Sequence, residues 1–292
     1  MGSTTWGWEG TEISIALGLV LASGFTHAVW NLFTKSSINK SAFLWAIHIG
    51  SFVLLLPFFI VELSEAHIPL RGYAFMGLSM LFQCGYFLLL PLAYSKGDMS
   101  QVYPLMRGIG ALLVPVAGVT IFGESLTQAG WLGIGCIVFG LFAIGGGSLS
   151  VTRLRHLWPA ASVGLCITGY VSTDKVVLEY ISPLALIELC NIAYIGLMTP
   201  LALRKGRLRT EWKANRWRII AGTFLSPGSY LLFLLAVKLA PLSHLAPIRE
   251  MGTVFGTILG IFILKEQQGS RRIAMSVVIT AGVVSVGLWG GS

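Results

Sequence analysis

Four charged side chains, Arg107, Glu188, Arg249 and Glu250, stand inside long apolar stretches of this 292-residue chain. A charge at bilayer depth costs about 2.5–3.5 kcal/mol on insertion scales, so it faces a partner or a polar cavity and marks a pathway. A guanidinium offers a planar fork for a carboxylate or phosphate-type oxyanion. Arg107 has Tyr103 one helical turn away on the same face. Arg249 and Glu250 are adjacent, and adjacent helical residues point about 100° apart, so the two cannot both face one point. One is expected to pair with Arg107 while the other meets a substrate. Glu188, Asn191 and Tyr194 make a polar stripe on an otherwise apolar stretch, and a carboxylate there can carry a proton. Glu188 and Glu250 are therefore the proton-coupling candidates, with Glu188 snorkelling to an interface as the alternative.

Other polar and aromatic residues could complete a cavity. Trp30 and Asn31 follow His27 on the first stretch, and Trp45 and His48 lie on the second. Gln83 and Tyr86 lie on the third, Tyr170, Thr173 and Asp174 on the sixth, and Ser226 and Tyr230 on the eighth. The substrate-binding candidates are Arg107, Tyr103, Arg249, Glu250, Trp30, Asn31, Tyr86, Tyr170 and Tyr230. Two histidines without a carboxylate pair make no metal site. The four cysteines show neither C-x-x-C spacing nor a disulfide framework and read as packing residues. No Walker A loop, G-x-S-x-G or H-E-x-x-H occurs, so neither a cofactor nor a catalytic residue is expected.

The elements that must hold these residues are membrane helices. The chain is 55% hydrophobic and only 11% charged, with mean hydropathy +0.79, against about 25% charged in soluble domains. Apolar runs of about 20 residues span a bilayer. They fall at roughly 13–34, 42–62, 72–95, 99–122, 128–147, 157–178, 184–203, 217–238, 243–264 and 272–290. Fifteen of the twenty basic residues lie in the connections after the odd-numbered runs. The positive-inside rule places that side in the cytoplasm and both termini outside. The net charge of +8 thus reads as topology, not as a nucleic-acid footprint. The segment before Ile13 lacks a basic n-region and a cleavage site, so the first run reads as retained.

Ala93–Arg107 recurs loosely at Ala236–Glu250, with Ala, Ser and Pro coinciding at an offset of 143. With one residue deleted, Glu124 meets Glu266. At an offset of 140, Gly24 meets Gly164, Lys35 meets Lys175 and His48 meets Glu188. The repeat divides the chain into residues 1–150 and 151–292, each with five helices. An odd number of spans inverts the second unit. The fold class is an all-α polytopic membrane protein, ten transmembrane helices in two inverted five-helix repeats, a common transporter plan. Gly252, Gly256 and Gly260 form a face for close helix packing. Pro104 and Pro247 fall three residues before Arg107 and Glu250 as matched bends.

The W-N-L-F-T-K segment at Trp30–Lys35, Y-P-L-M-R-G at Tyr103–Gly108, F-G-E-S-L at Phe122–Leu126, A-P-I-R-E at Ala246–Glu250 and L-K-E at Leu264–Glu266 occur in this order over a ten-helix frame. In this the chain resembles the EamA-type family of the drug/metabolite transporter superfamily over roughly residues 13–290. The resemblance implies a transporter of amino acids, sugars, nucleotide-sugars, choline-like cations, drugs or other metabolites. It also implies cytoplasmic termini, which the basic residues contradict. Read together, the residues point to a secondary transporter, exporter or exchanger, of a small zwitterion or organic anion. It would work by alternating access with proton or exchange coupling, as a monomer or homodimer in a prokaryotic inner membrane. The alternatives are an intramembrane enzyme or flippase acting on a lipid-linked group, a carrier of cationic amines or drugs, and a non-transporting receptor or assembly subunit.

Overall fold

A computed structural model describes residues 10–122, 126–144, 151–237, 239, 248–267 and 269–289. Ten α-helices occur among them: α1 Gly10–Ser36, α2 Lys40–Glu65, α3 Leu70–Lys96, α4 Met99–Phe122, α5 Gln128–Ile144, α6 Val151–Val177, α7 Pro183–Ala202, α8 Arg207–Val237, α9 Met251–Leu264 and α10 Gly269–Trp289. Six of them, α1, α2, α3, α7, α8 and α10, are long and apolar enough to cross a membrane. The outside of the bundle is apolar: Leu70 is 86% exposed, Leu132 71% and Phe262 71%. Its interior holds Arg107, His48, Asp174, Glu188 and Asn191. A water-soluble protein arranges these classes the other way round, so the surrounding solvent is lipid.

Several helix boundaries depart from the hydropathy pattern for local reasons. The helix α8 starts at Arg207, ten residues before its apolar run, and kinks at Asn215 (φ −127°, ψ 23°). There the Asn215 amide donates to Glu211 at 2.6 Å and its carbonyl accepts from Arg218 at 3.1 Å. Arg207, Arg209 and Lys213 before the kink, and Trp212, are exposed, as suits a turn lying in the interface. The α9 helix is shorter than predicted. Residues 243–247 lie outside the described residues, and Glu250 is the N-cap of α9 instead of a residue seven positions inside it. The helix ends on Lys265 in the left-handed conformation (φ 55°, ψ 40°). That reversal turns Glu266 back, where its carboxylate accepts the free N–H groups of Met99 (2.6 Å) and Ser100 (2.8 Å) at the start of α4. A carboxylate at a helix N-terminus satisfies donors and the helix dipole together. Its repeat mate Glu124 and Pro247 both lie outside the described residues.

The helices pack as matched pairs. The contacts α3 on α6, α4 on α6 and α3 on α7 have counterparts in α8 on α1, α9 on α1 and α8 on α2. The α2–α7, α4–α9 and α5–α10 contacts join helices of the same rank in the two halves. Close approach needs glycine. A Cβ at Gly24 on α1 would lie 3.0 Å from the Arg249 carbonyl oxygen and 3.1 Å from the Gly252 nitrogen. In the matching crossing, a Cβ at Gly164 on α6 would lie 2.9 Å from the Met106 oxygen of α4. Gly256 lies against the Tyr103 ring and Gly260 beside Glu266 and Ser100, so the three-glycine face of α9 meets α1 and α4.

Candidate functional site

The two arginines have different surroundings. Arg107, on α4, places Nε 3.1 Å from one Glu250 oxygen and its Nη2 on the other, a bidentate ion pair. Both side chains are mostly buried, 9% and 14% exposed. Glu250 reaches α4 because it caps α9 without using its side chain on its own helix. Arg249, one residue earlier, points elsewhere. Its guanidinium lies 4.5 Å from the Phe233 ring centre and 5.5 Å from that of Tyr230, both on α8. No carboxylate pairs with it among the described residues.

Arg249 borders a cavity of about 80 Å³ at the centre of the bundle. The wall is drawn from both halves: His27 and Trp30 of α1, His48 of α2, Gln83, Tyr86 and Phe87 of α3, Tyr170 of α6, Ile187 and Asn191 of α7, and Ser226 and Tyr230 of α8. Its aromatic walls interlock. Tyr86 meets Tyr170 edge-on at 5.9 Å, and His48 meets Phe87 at 4.2 Å and Tyr194 at 4.8 Å. Such edge-to-face contacts hold rings rigidly. The Trp30 Nε1 and both His48 ring nitrogens are buried without a hydrogen-bond partner among the described residues. Among the described residues His48 thus packs through its ring against Phe87 and Tyr194 and makes no hydrogen bond.

Of the predicted substrate-binding residues, Arg249, Trp30, Tyr86, Tyr170 and Tyr230 line this cavity. Arg107 and Glu250 stand outside its wall in their ion pair. Tyr103 is packed under Gly256, with its ring 6.1 Å from His27. Asn31 also stands outside: its amide donates to the His27 carbonyl (2.9 Å) and its oxygen accepts the Tyr94 hydroxyl (2.7 Å), tying α1 to α3. Glu188 is fully buried, which corrects the snorkelling alternative. One of its oxygens accepts from Asn191 at 3.0 Å and the other has no partner among the described residues. Asn191 in turn donates to Ser51 at 3.1 Å.

Asp174, which the sequence offered only as one of several polar residues that could complete a cavity, is a further buried charge. Asp174 on α6 is 1% exposed and accepts from the Ser79 hydroxyl, from the Gln83 amide at 3.4 Å and from the Tyr230 hydroxyl at 3.5 Å. It lies four residues from the end of its predicted span and next to Lys175. The signal was its rarity, since Asp98 is the chain's other aspartate. Among the described residues no three His, Cys, Asp or Glu side chains are grouped to hold a metal ion.

Residues 157–288 match the EamA-like transporter family, and residues 71–137 match the Small Multidrug Resistance protein family. The chain is also similar to the Probable 4-amino-4-deoxy-L-arabinose-phosphoundecaprenol flippase subunit ArnE of Hamiltonella defensa subsp. Acyrthosiphon pisum (strain 5AT), 36% identical over 72 residues. That stretch is 25% of this chain and 64% of the relative's length. Apolar helices around a polar interior make the chain an integral membrane protein, and the two family matches, each over less than half of it, are consistent with the EamA-type drug/metabolite transporter superfamily.

Proposed function

We propose that the protein is a secondary transporter of a small polar metabolite bearing an oxyanion, which binds at Arg249 in the central cavity. The observation that carries this reading is a guanidinium with aromatic contacts and no carboxylate partner among the described residues, set in the wall of a cavity between the two halves. A buried cation without an anion is costly, and an anionic cargo would supply one. Alternating access is supported by the pairing of helices, which is preserved when residues 1–150 and 151–292 exchange roles. Two polar ties also join repeat mates: Arg107 with Glu250, 143 residues apart, and Ser51 with Asn191, 140 apart. Contacts between equivalent positions are what a two-fold axis relating two inverted repeats would produce, and they support the reading of ten spans in that plan. We assign the Arg107–Glu250 pair to holding the halves together, and Glu188, beside the cavity with one oxygen unpartnered, to proton or exchange coupling. The inner membrane, with the basic face cytoplasmic and the termini outside, completes the reading.

The test is thermal unfolding of the purified protein with phosphonates, carboxylates, amino acids, sugars and quaternary amines. A ligand at about 100 times its Kd stabilises the folded state by roughly 2.7 kcal/mol. Stabilisation by oxyanions in the wild type and none in Arg249→Gln is the expected outcome. Stabilisation by quaternary amines alone would overturn it. A second reading is favoured by the flippase relative: the cargo would be the head of a lipid-linked group, moved by this chain as one subunit of a complex. Translocation of a lipid-linked sugar phosphate in liposomes, without uptake of any free metabolite, would select that reading.

A further inference from the structure

Asp174 and Arg249 meet on a single side chain. The Arg249 guanidinium lies over the face of the Tyr230 ring, and the Tyr230 hydroxyl points at Asp174. Each is a charge at membrane depth without an oppositely charged contact among the described residues, whereas Arg107 and Glu250 neutralise each other. The groups facing Asp174 are neutral: Ser79 and Gln83 from α3, Tyr230 from α8, and the Cys190 thiol from α7. One carboxylate oxygen is taken by Ser79. Among the described residues the other is held only by Gln83 and Tyr230, at 3.4 and 3.5 Å, the long limit of hydrogen bonding. Both of these loose donors are cavity-wall residues. A charged donor entering between them would replace two weak contacts by a charge-assisted one.

We infer that Asp174 is an ammonium-binding residue, so that the cavity takes a cargo carrying a primary amine at Asp174 and an oxyanion at Arg249. This rests on the reading of the cavity as the cargo site. A zwitterion neutralises both unpaired charges at once, while a simple anion leaves Asp174 uncompensated and a simple cation leaves Arg249 so. Tyr170 and Tyr86 line the same cavity, and aromatic rings are compatible with a cationic cargo.

The rarity of aspartate makes the test direct. Protein labelled with carbon-13 at aspartate side-chain carboxyls gives NMR signals from Asp174 and Asp98 alone, and Asp98→Asn assigns them. Asp98, paired with Arg272 at 2.8 Å and half exposed, is the internal control. Millimolar methylammonium is expected to move the Asp174 signal in the wild type and in Arg249→Gln, with tetramethylammonium and sodium leaving it in place. A signal that ignores methylammonium overturns the inference, and one that responds to pH alone makes Asp174 a proton site instead. Oxyanion stabilisation in the thermal experiment, together with a silent Asp174, would sink the amine site and leave the transport reading intact. A methylammonium response without any oxyanion effect would do the reverse.

Discussion

Arg107 and Arg249 are one residue type, set on α4 and beside the start of α9, yet their surroundings are opposite. Arg107 is clasped by Glu250 across the junction of the two halves. Arg249 has two rings, a cavity and no acid among the described residues. Arg249 is helical and Glu250, the N-cap of α9, keeps a right-handed backbone (φ −68°, ψ −9°). Adjacent residues in that conformation diverge by about 100°, so one side chain meets α4 and the other meets α8. A paired buried charge ties structure together; an unpaired one waits for a partner.

Variants should divide along this line, tie residues losing stability and cavity residues losing ligand. Arg107→Ala strands Glu250, and breaking a buried pair on one side costs about 3–5 kcal/mol. Denaturant unfolding in detergent should show that loss, with most of it recovered in Arg107→Met with Glu250→Leu. An undiminished single variant would mean that the pair ties nothing. Gly252→Ala puts a Cβ 3.0 Å from the Gly24 carbonyl oxygen. Overpacking there should cost roughly 1–3 kcal/mol, and by shifting α1 from α9 it should also weaken oxyanion binding. It is therefore expected to register in both readouts.

Smaller effects sharpen the contrast. Glu266→Gln removes the charge that caps α4 and should cost about 0.5–2 kcal/mol, with ligand response unchanged. Arg249→Gln forfeits cation–π contacts worth about 1 kcal/mol but should abolish oxyanion stabilisation entirely; a retained response would move the site away from Arg249. Glu188→Gln keeps the Asn191 contact and should leave unfolding within about 0.5 kcal/mol of wild type. In liposome exchange it should flatten the pH dependence. Unchanged pH dependence would end the coupling role of Glu188.

Much of the frame was legible beforehand because hydropathy acts residue by residue. The α4 span was read at 99–122, as found, and the expected pairing of Arg107 with one of Arg249 and Glu250 followed from cost alone. The polar starts of helices were not legible. The interfacial turn Arg207–Ala214 is amphipathic and strongly basic, and an apolar window passes over it. Asn31 read as a cavity residue because its type suits one; its bond to Tyr94, 63 positions away, made it a tie between α1 and α3. His48 and Glu188 were matched by the repeat, but their burial beside Tyr194 and Asn191 required α2 to be packed on α7.

The sequence by itself determined that the chain is a bundle of membrane helices, that its glycines mark close crossings, and that a few charges inside would need partners. Those properties are sums over local transfer free energies and helix periodicity, and they need no knowledge of neighbours. Which charge found a partner was decided only by the tertiary structure. Glu250 took Arg107, and Arg249 was left against Tyr230 and Phe233. Asp174 came to rest on Ser79, Gln83 and Tyr230. Electrostatic neutralisation acts over a few ångströms between residues that are distant in the chain, so it is settled by packing.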